Sequence, residues 1–165
     1  MCAVLLTPVT LVHAAPRDDL CTDPNKGWTE LGPDLPAPPD DKQLIEFYVS
    51  PVTSFHFALD RASISIGADG VVHYTLVATS SSGARNIRFE GLRCATNEFK
   101  VYAIARPDGT WERVRTPAWK RVTEAVANRE EAALAKDTIC DNGLPFSADD
   151  IVRHLKATAR DRIPQ

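Results

Sequence analysis

Between residues 44 and 105, apolar side chains recur with the two-residue period of β-strands, and short polar segments interrupt them. The strongest such pattern is Val71–Thr79, in which Val72, Tyr74 and Leu76 fall on one face and Val77 falls on the other. Because both faces of this run are partly apolar, we predict that it forms a central strand of a sheet.

Six further runs around it are also predicted to be strands: Leu44–Val49, Phe55–Leu59, Ala62–Ile66, Ala84–Cys94, Glu98–Ala105 and Thr110–Arg115. Residues typical of turns separate several of them, at Gly67–Gly70, Ser80–Gly83, Ala95–Asn97 and Pro107–Gly109. Gly91 interrupts the alternation of its strand, and we therefore predict a β-bulge at this position.

The C-terminal third changes to the period of helices. A first helix is predicted from Asn128 to Cys140, and Asn142-Gly143 is expected to end it. A second helix begins after Ser147 and runs to about Lys156. Acidic pairs stand at the start of each helix, and we interpret them as complements of the helix dipole: Glu130-Glu131 and Asp149-Asp150.

Strands followed by helices indicate an α+β fold. We predict an antiparallel meander of about five to seven strands with the two C-terminal helices packed on it, forming one domain over residues 44–158. Residues 15–43 are acidic and rich in proline, so they are predicted to form an extended arm that Trp28 and Leu31 pin to the domain. Residues 159–165 are predicted to be a disordered tail.

Residues 1–14 have the pattern of a secretory signal peptide. They are apolar from Cys2 to Val12, and Val12-His13-Ala14 places small residues where signal peptidase cuts. No other apolar run reaches the roughly 18 residues that a membrane helix requires. No Lys or Arg precedes Arg17, which a translation start further upstream would explain. A buried N-terminal strand is the alternative, but we expect export to the periplasm or secretion.

Three segments of the strand region carry a family resemblance. They are Phe47–Ser50 (FYVS), Ile64–Val77 (ISIGADGVVHYTLV) and Phe89–Cys94 (FEGLRC), and Trp111, Trp119 and Cys140 fit the same pattern. Together, over roughly residues 28–155, the chain resembles the CNP1-like family. This resemblance implies a small exported protein of a single domain from a Gram-negative bacterium, chiefly among the Betaproteobacteria. It implies no reaction and supplies no catalytic residues.

The cysteines bear on whether the chain is an enzyme. Cys2 would leave with the signal peptide, and cysteines in an oxidising compartment usually pair. We predict a disulfide between Cys94 and Cys140, which would tie the end of a strand to the end of a helix. Pairing of Cys21 with either of them is the alternative. If Cys21 is left over, it is a free thiol or links two chains into a dimer.

The sequence contains no Gly-rich phosphate loop, no nucleophile elbow and no HExxH motif. His56, His73 and His154 are isolated, and no close pair of Cys or His residues occurs, so we predict neither a metal nor a cofactor. The enzymatic alternative is a small thiol-dependent hydrolase or redox protein that uses Cys94 as its nucleophile, which would require a reduced cysteine.

A basic stretch in the later strands is the main candidate for a binding surface. The net charge of −3 and the pI near 5.8 argue against nucleic acid as a partner. Nine cations nevertheless crowd residues 85–121, and a solvated, salt-bridged sheet face is the simplest explanation. The alternative is a face that binds an envelope protein or an anionic envelope component, built from Arg85, Arg88, Trp111, Arg113 and Arg115. We therefore predict a non-enzymatic binding or envelope-associated module.

Overall fold

The computed structural model describes residues 23–123 and 129–162. Within them, seven strands form one antiparallel sheet: β1 (Leu44–Phe47), β2 (Phe55–Ile66), β3 (Val71–Ser80), β4 (Arg85–Arg93), β5 (Glu98–Ala105), β6 (Trp111–Arg113) and β7 (Lys120–Arg121). Strands β1 to β6 lie side by side in chain order, and β7 pairs with the first residues of β5. With two C-terminal helices packed on this meander, the predicted α+β fold is confirmed.

The predicted central strand, β3, lies between β2 and β4 and is buried on both faces over its first eight residues. Its register places Leu76 opposite Leu59 of β2 and Tyr74 opposite Glu90 of β4. Residues that face each other in neighbouring strands lie on the same side of the sheet. Tyr74, Leu76 and Glu90 therefore share one face, which we call the helix face.

Strand β2 differs from its predicted form. β2 is one strand of twelve residues rather than two short ones. Its register with β3 shifts between Asp60 and Ser65, where the Asp60 side chain accepts a hydrogen bond from the amide of Ala62. This irregularity explains why the apolar pattern changes phase in the middle of the strand.

The bulge predicted at Gly91 is wrong, because β3 and β4 pair without interruption through this residue. The irregularity lies one strand further on, where Phe89 pairs with Ala103 and Glu90 pairs with Val101, so that Tyr102 is the extra residue. A Cβ atom added at Gly91 would meet the Tyr102 ring at 2.8 Å. The glycine therefore provides space for the Tyr102 ring.

The first helix, α1 (Arg129–Leu134), continues as a π-helical turn over Ala135–Ile139. A small hairpin follows, with strands β8 (Cys140–Asp141) and β9 (Leu144–Pro145). Asn142 and Gly143 form its turn at φ values of 48° and 81°, a conformation that asparagine and glycine tolerate best. Asn142 and Gly143, which were predicted to end the helix, therefore form the turn of a hairpin that follows the helix directly.

The second helix, α2 (Ala148–Arg162), begins at a reciprocal cap. The Ser147 hydroxyl accepts from the amide of Asp150 at 3.2 Å and donates to the Asp150 carboxylate at 2.7 Å. The helix extends beyond its expected end near Lys156, so residues 159–162 are helical where a disordered tail was predicted. Asn128 and residues 163–165 lie outside the described residues.

The main core lies between the helix face and the C-terminal elements. Leu134, Ile139, Ile151 and Leu155 are fully buried against the even-numbered residues of β3, such as Leu76. Each such side chain stabilises the fold by about 1.5–3 kcal/mol through removal from water. None of the helices in the described part of the chain is both long and apolar enough to cross a membrane.

The N-terminal arm covers the opposite face of the sheet, which we call the arm face. Leu35 packs there against Phe89 and Tyr102. The Trp28 indole donates to the carbonyl of Asp69 at 2.9 Å, so Trp28 pins the arm as predicted. The Leu31 side chain is exposed, but its amide donates to the Asp69 carboxylate.

Candidate functional site

A cleft of about 400 Å³ opens beside the connection between β1 and β2. Its apolar wall is formed by Val49, Val52, Phe55, Phe57 and Ala78. Its polar end is formed by Asn86, Arg88, Arg129 and Glu130. The volume lies within the range of about 300–1,000 Å³ that is typical of small-molecule sites. We refer to it as the β1–β2 cleft.

The apolar wall of this cleft is presented by a short loop. Val52 is 74% exposed and Phe55 is 44% exposed, whereas apolar side chains of this size are usually buried. The loop is held by its own side chains, since Ser50 and Thr53 accept hydrogen bonds from the amides of Val52 and Phe55. A second cleft of about 390 Å³ is lined by the same loop and shares Phe55. The β1–β2 loop therefore offers contiguous apolar surface to a ligand.

At the polar end of the cleft, Arg88 meets three carboxylates. Its Nη2 lies 2.8 Å from Glu130 Oε1 and 3.2 Å from Glu131 Oε1, and its Nε lies 2.9 Å from Glu90 Oε1. The side chains of Glu90 and Glu131 are buried, while those of Arg88 and Glu130 retain contact with solvent. These four residues are called the Arg88 cluster below.

Strand register and helix position together build this cluster. Arg88 and Glu90 are two residues apart in β4, so both lie on the helix face, with Tyr74 of β3 opposite Glu90. Glu130 and Glu131 stand in the first turn of α1, which packs over that face. The interpretation of Glu130-Glu131 as dipole partners misses the main role of Glu131, whose carboxylate is buried against Arg88.

The cluster holds more negative charge than Arg88 can neutralise, and uncompensated charge is costly to bury. Burial, reinforced by Glu130, raises the pKa of Glu90 to about 7, although Arg88 opposes the shift. Burial, reinforced by Glu90 and Glu130, raises the pKa of Glu131 to about 8. Near neutral pH, Glu90 and Glu131 therefore retain protons that ordinary glutamates have lost.

Polar atoms of the cluster also lack hydrogen bonds within the described residues. Glu131 Oε2 has no such partner there. The Tyr74 hydroxyl lies beside Glu90 and helps to lower the pKa of that carboxyl group, but the two do not form a hydrogen bond of standard geometry. The Nε of Arg88 is close to Glu90, but its N–H is not aligned to donate. Burial raises the pKa of Tyr74 well above its usual range, so this hydroxyl stays neutral. A protonated carboxyl group gains a donor, which is what such a site lacks.

Arg129 adds a second cation to the cleft. It begins α1, next to Glu130, and lines the same polar end as Arg88. Arg129 makes no ion pair with any residue in the described part of the chain. When Glu90 and Glu131 are protonated, the two arginines outnumber the Glu130 carboxylate. The polar end of the cleft is then cationic.

The arm face contains a second cluster of charges, which is partly buried. Lys100 Nζ lies 2.7 Å from Glu30 Oε2, the Tyr102 hydroxyl donates to Glu30 Oε1 at 2.8 Å, and Trp119 Nε1 donates to Glu30 Oε2 at 3.1 Å. Burial alone would raise the pKa of Glu30, but the hydrogen bonds from Lys100, Tyr102 and Trp119 outweigh it and lower the pKa. These four residues are called the Glu30 cluster below. It fastens the arm to the sheet.

The arm also covers Arg93, one of the nine cations of the basic stretch. The Arg93 guanidinium lies 3.7 Å from the centroid of the Trp28 ring and donates to the Asn25 side chain at 2.6 Å. Arg93 and Lys100 are therefore engaged within the chain, by a cation–π contact and an ion pair respectively.

The residues predicted for a binding face are not brought together. Arg88 lies on the helix face and lines the β1–β2 cleft. Trp111 lies on the arm face, where its ring packs against Phe89 and its Nε1 donates to the carbonyl of Pro36 at 2.8 Å. The two residues thus lie on opposite sides of the sheet.

The other three arginines lie outside the cleft. Arg85, at the start of β4, pairs with Asp41 at 2.9 Å. Arg113 is exposed in β6, and Arg115 is exposed just after it. A binding role for these three residues stays a prediction.

The predicted disulfide between Cys94 and Cys140 is present, with Cα atoms 5.5 Å apart. Cys94 is buried and its sulfur is bonded, so a nucleophilic role would first require reduction. Within the residues that the structure describes, no group of three or more His, Cys, Asp or Glu is placed to hold a metal ion. Cys21 and residues 1–14 lie outside the described part.

Sequence reasoning selected Arg88 but missed its partners and the apolar wall. One available indication was the spacing of Arg88, Glu90 and Leu92, which places two charges and a buried leucine on one face of a strand. No pattern in the sequence marked Val52 or Phe55, because their exposure depends on how the β1–β2 loop packs.

Comparison with known proteins identifies the family of the chain. No curated protein and no solved structure shows a significant match to the chain. The family model that describes the CNP1-like family matches residues 23–156, which include the described part of the arm, the seven strands of the sheet and both charge clusters. Since this match spans well over half of the chain, the protein belongs to the CNP1-like family.

Proposed function

We propose that this protein is an exported binding module of the bacterial envelope that takes a small ligand in the β1–β2 cleft. The observation that carries the proposal is the exposure of Val52 and Phe55 beside the arginines Arg88 and Arg129. Concave sites that combine apolar walls with a few polar groups are typical of ligand binding.

Export is proposed on two grounds. The N-terminal 14 residues have the apolar core and small residues of a signal peptide. The disulfide between Cys94 and Cys140 is of a kind that persists in the periplasm or outside the cell. We place the protein in the periplasm of a Gram-negative bacterium.

A role in binding rather than catalysis is supported by the groups at the cleft. Glu90 and Glu131 have the raised pKa values of potential acids or bases, but their side chains are buried behind Arg88. A general acid or base must reach the substrate within hydrogen-bond distance. Arg88, Arg129 and Asn86, which line the cleft itself, are suited to holding a ligand, and the Glu130 carboxylate beside them is paired with Arg88.

Binding can be tested with 8-anilinonaphthalene-1-sulfonate, an anionic aromatic probe whose fluorescence rises in apolar sites. We expect saturable binding to the mature protein and at least about tenfold weaker binding to Phe55→Ser, because the exposed ring contributes apolar contact area. Ile66→Ser is the matched control, since Ile66 is 38% exposed at the other end of β2.

The control variant should bind the probe as the wild type does, and both variants should retain the wild-type circular dichroism. Equal affinity for wild type and Phe55→Ser would move the site away from the β1–β2 cleft. Export is tested separately by fractionation and by N-terminal sequencing, with a mature chain expected to begin after Ala14. Recovery of the unprocessed chain in the cytoplasm would refute that part of the proposal.

A further inference from the structure

The Arg88 cluster defines the ligand more closely, given the proposed function above. We propose that the β1–β2 cleft takes an amphiphile with one aliphatic chain and an anionic head, that the head replaces Glu130 on Arg88, and that the protein takes up a proton as the ligand binds. The chain would lie along Val52 and Phe55, and the head would lie between Arg88 and Arg129.

The anionic head follows from the arrangement of cations. Arg88 and Arg129 both line the polar end of the cleft, and Arg129 has no ionic partner in the described part of the chain. Guanidinium groups bind carboxylate and phosphate oxygens through paired, charge-assisted hydrogen bonds. The apolar wall begins within the same cleft, so a ligand with a charged head and an aliphatic chain matches both ends.

Glu130 already occupies the place that we assign to the ligand head. Its Oε1 accepts from Arg88 Nη2 at 2.8 Å, and its side chain lines the cleft and remains 13% exposed. An incoming carboxylate or phosphate offers Arg88 the same kind of bond. Glu130 can then turn toward solvent, whereas Glu90 and Glu131 are enclosed and stay behind Arg88.

The link to protons follows from the charges around Arg88. The displaced Glu130 stays at the rim of the cleft on α1, so the ligand head raises the number of anions at the polar end by one while Glu90 and Glu131 remain in contact with Arg88. Few other groups around Arg88 can change their charge. Tyr74 of β3 is neutral and Val101 of β5, opposite Glu90, carries no charge, while α1 contributes Arg129 and Glu130. Protonation of Glu90 or Glu131 is therefore the available compensation.

The direction of the pH dependence is fixed by these groups. The pKa of Glu90 is raised to about 7 and that of Glu131 to about 8, by burial first and by neighbouring carboxylates second. Below this range both are protonated and the polar end attracts an anion. Above this range both are ionised and repel it. Affinity for an anionic amphiphile should fall as pH rises.

The test is calorimetric titration of the mature protein with decanoate, below its micellar concentration, at pH 6, 7.5 and 9. We expect the dissociation constant to rise by about tenfold over this range, which corresponds to a shift of one pKa unit in the buried pair on binding. At pH 7.5, titration in two buffers of different ionisation enthalpy should show proton uptake. Decyl phosphate should also bind, but its own second ionisation lies at about pH 6, so proton uptake is assessed with decanoate. Decanol should bind more weakly and without proton uptake.

Variants distinguish the residue that binds the ligand head from the residue that takes up the proton. Arg129→Gln should weaken decanoate binding by about tenfold and leave decanol binding unchanged, because it removes one charge from the cleft. Arg153→Gln, an exposed arginine of α2, is the control and should change neither. Glu131→Gln should still bind decanoate, but with less proton uptake and a flatter pH dependence.

The outcomes distinguish this inference from the proposed function. Tight binding of decanol with no dependence on pH would overturn the inference and leave the binding module standing. Preference for dodecyltrimethylammonium over decanoate would overturn the assigned charge of the head. Failure of every probe, including 8-anilinonaphthalene-1-sulfonate, would overturn both proposals.

Discussion

Each face of the sheet holds a cluster of charges that is at least partly removed from water, and the two clusters have opposite composition. On the arm face one carboxylate, Glu30, receives hydrogen bonds from Lys100, Tyr102 and Trp119. On the helix face one guanidinium, Arg88, meets three carboxylates. The pKa of the carboxyl group is lowered in the first cluster, and the pKa values of Glu90 and Glu131 are raised in the second.

This difference teaches that burial alone does not decide the charge state of a glutamate. Burial penalises the charged form in both clusters, but three donors compensate Glu30, while Glu90 and Glu131 share Arg88 with a third acid. A carboxylate with sufficient donors fixes structure, as Glu30 fixes the arm. Carboxylates with too few donors hold protons, and Glu90 and Glu131 do so behind the β1–β2 cleft.

The largest expected effect comes from removing the disulfide that ties the C-terminal helical elements to the sheet. Cys140→Ser removes the disulfide that closes a loop of 46 residues and joins the end of β4 to β8. Chain-entropy arguments give a loss of about 4 kcal/mol in the free energy of unfolding. Urea denaturation under oxidising conditions measures it, and reductant should bring the wild type to the same midpoint as the variant. An unchanged midpoint would mean that packing alone holds α1 and its π-helical turn in place.

Much of the fold was predictable because its causes are local. The two-faced apolar pattern of β3 marks a central strand, and Ser147 with Asp150 marks the start of α2. The prediction of a bulge at Gly91 was wrong because a glycine in a strand can have either of two structural roles. It permits unusual backbone geometry or it makes room for a neighbour, and the neighbour here, Tyr102, comes from another strand.

The candidate site was predictable only in part, because its residues come from separate elements. Arg88 was selected from the basic stretch, but its buried partners Glu90 and Glu131 lie in β4 and α1, and their meeting depends on how the helix crosses the sheet. Adjacent acids at a helix start have a simpler explanation in the helix dipole, which holds at Asp149-Asp150 and not for Glu131. Trp111 failed to join Arg88 because alternation along the strands sends them to opposite faces.

The second effect tests the arm face. Glu30→Gln removes the charge that Lys100, Tyr102 and Trp119 share, and we expect it to lower the free energy of unfolding by about 2 kcal/mol, since hydrogen bonds to a charged group are being weakened. Glu112→Gln is the matched control. Glu112 pairs with Arg106 on the exposed surface, so its loss should leave the free energy of unfolding nearly unchanged.

The pH dependence of the Glu30→Gln deficit has a defined sign. Because the pKa of Glu30 in the folded protein lies below its ordinary value of 4.5, its contribution is fully present above that pH and is lost as pH falls through the folded value. Denaturation at pH 7 and at pH 3 should therefore show the deficit shrinking in acid. A deficit that stays constant would mean that the charge of Glu30 contributes nothing.

The smallest expected effect concerns the helix face. Its pH dependence of stability has the opposite sign to that of the arm face. The unfolded chain releases the protons of Glu90 and Glu131 near the ordinary pKa of 4.5, whereas the folded protein retains them up to about 7 and about 8. Unfolding therefore releases protons in this window, and wild-type stability should fall as pH rises through it.

The variant Glu131→Gln should lose part of this dependence of stability on pH. At pH 5 the amide replaces a protonated carboxyl group of the same shape, so the change in the free energy of unfolding should be small. At pH 8.5 the wild type buries an ionised carboxylate with too few donors, and the variant should be more stable by about 1 kcal/mol. Urea midpoints at the two pH values give the comparison. Parallel pH curves for variant and wild type would show that Glu131 is ionised throughout, and the two faces would then handle their carboxylates in the same way.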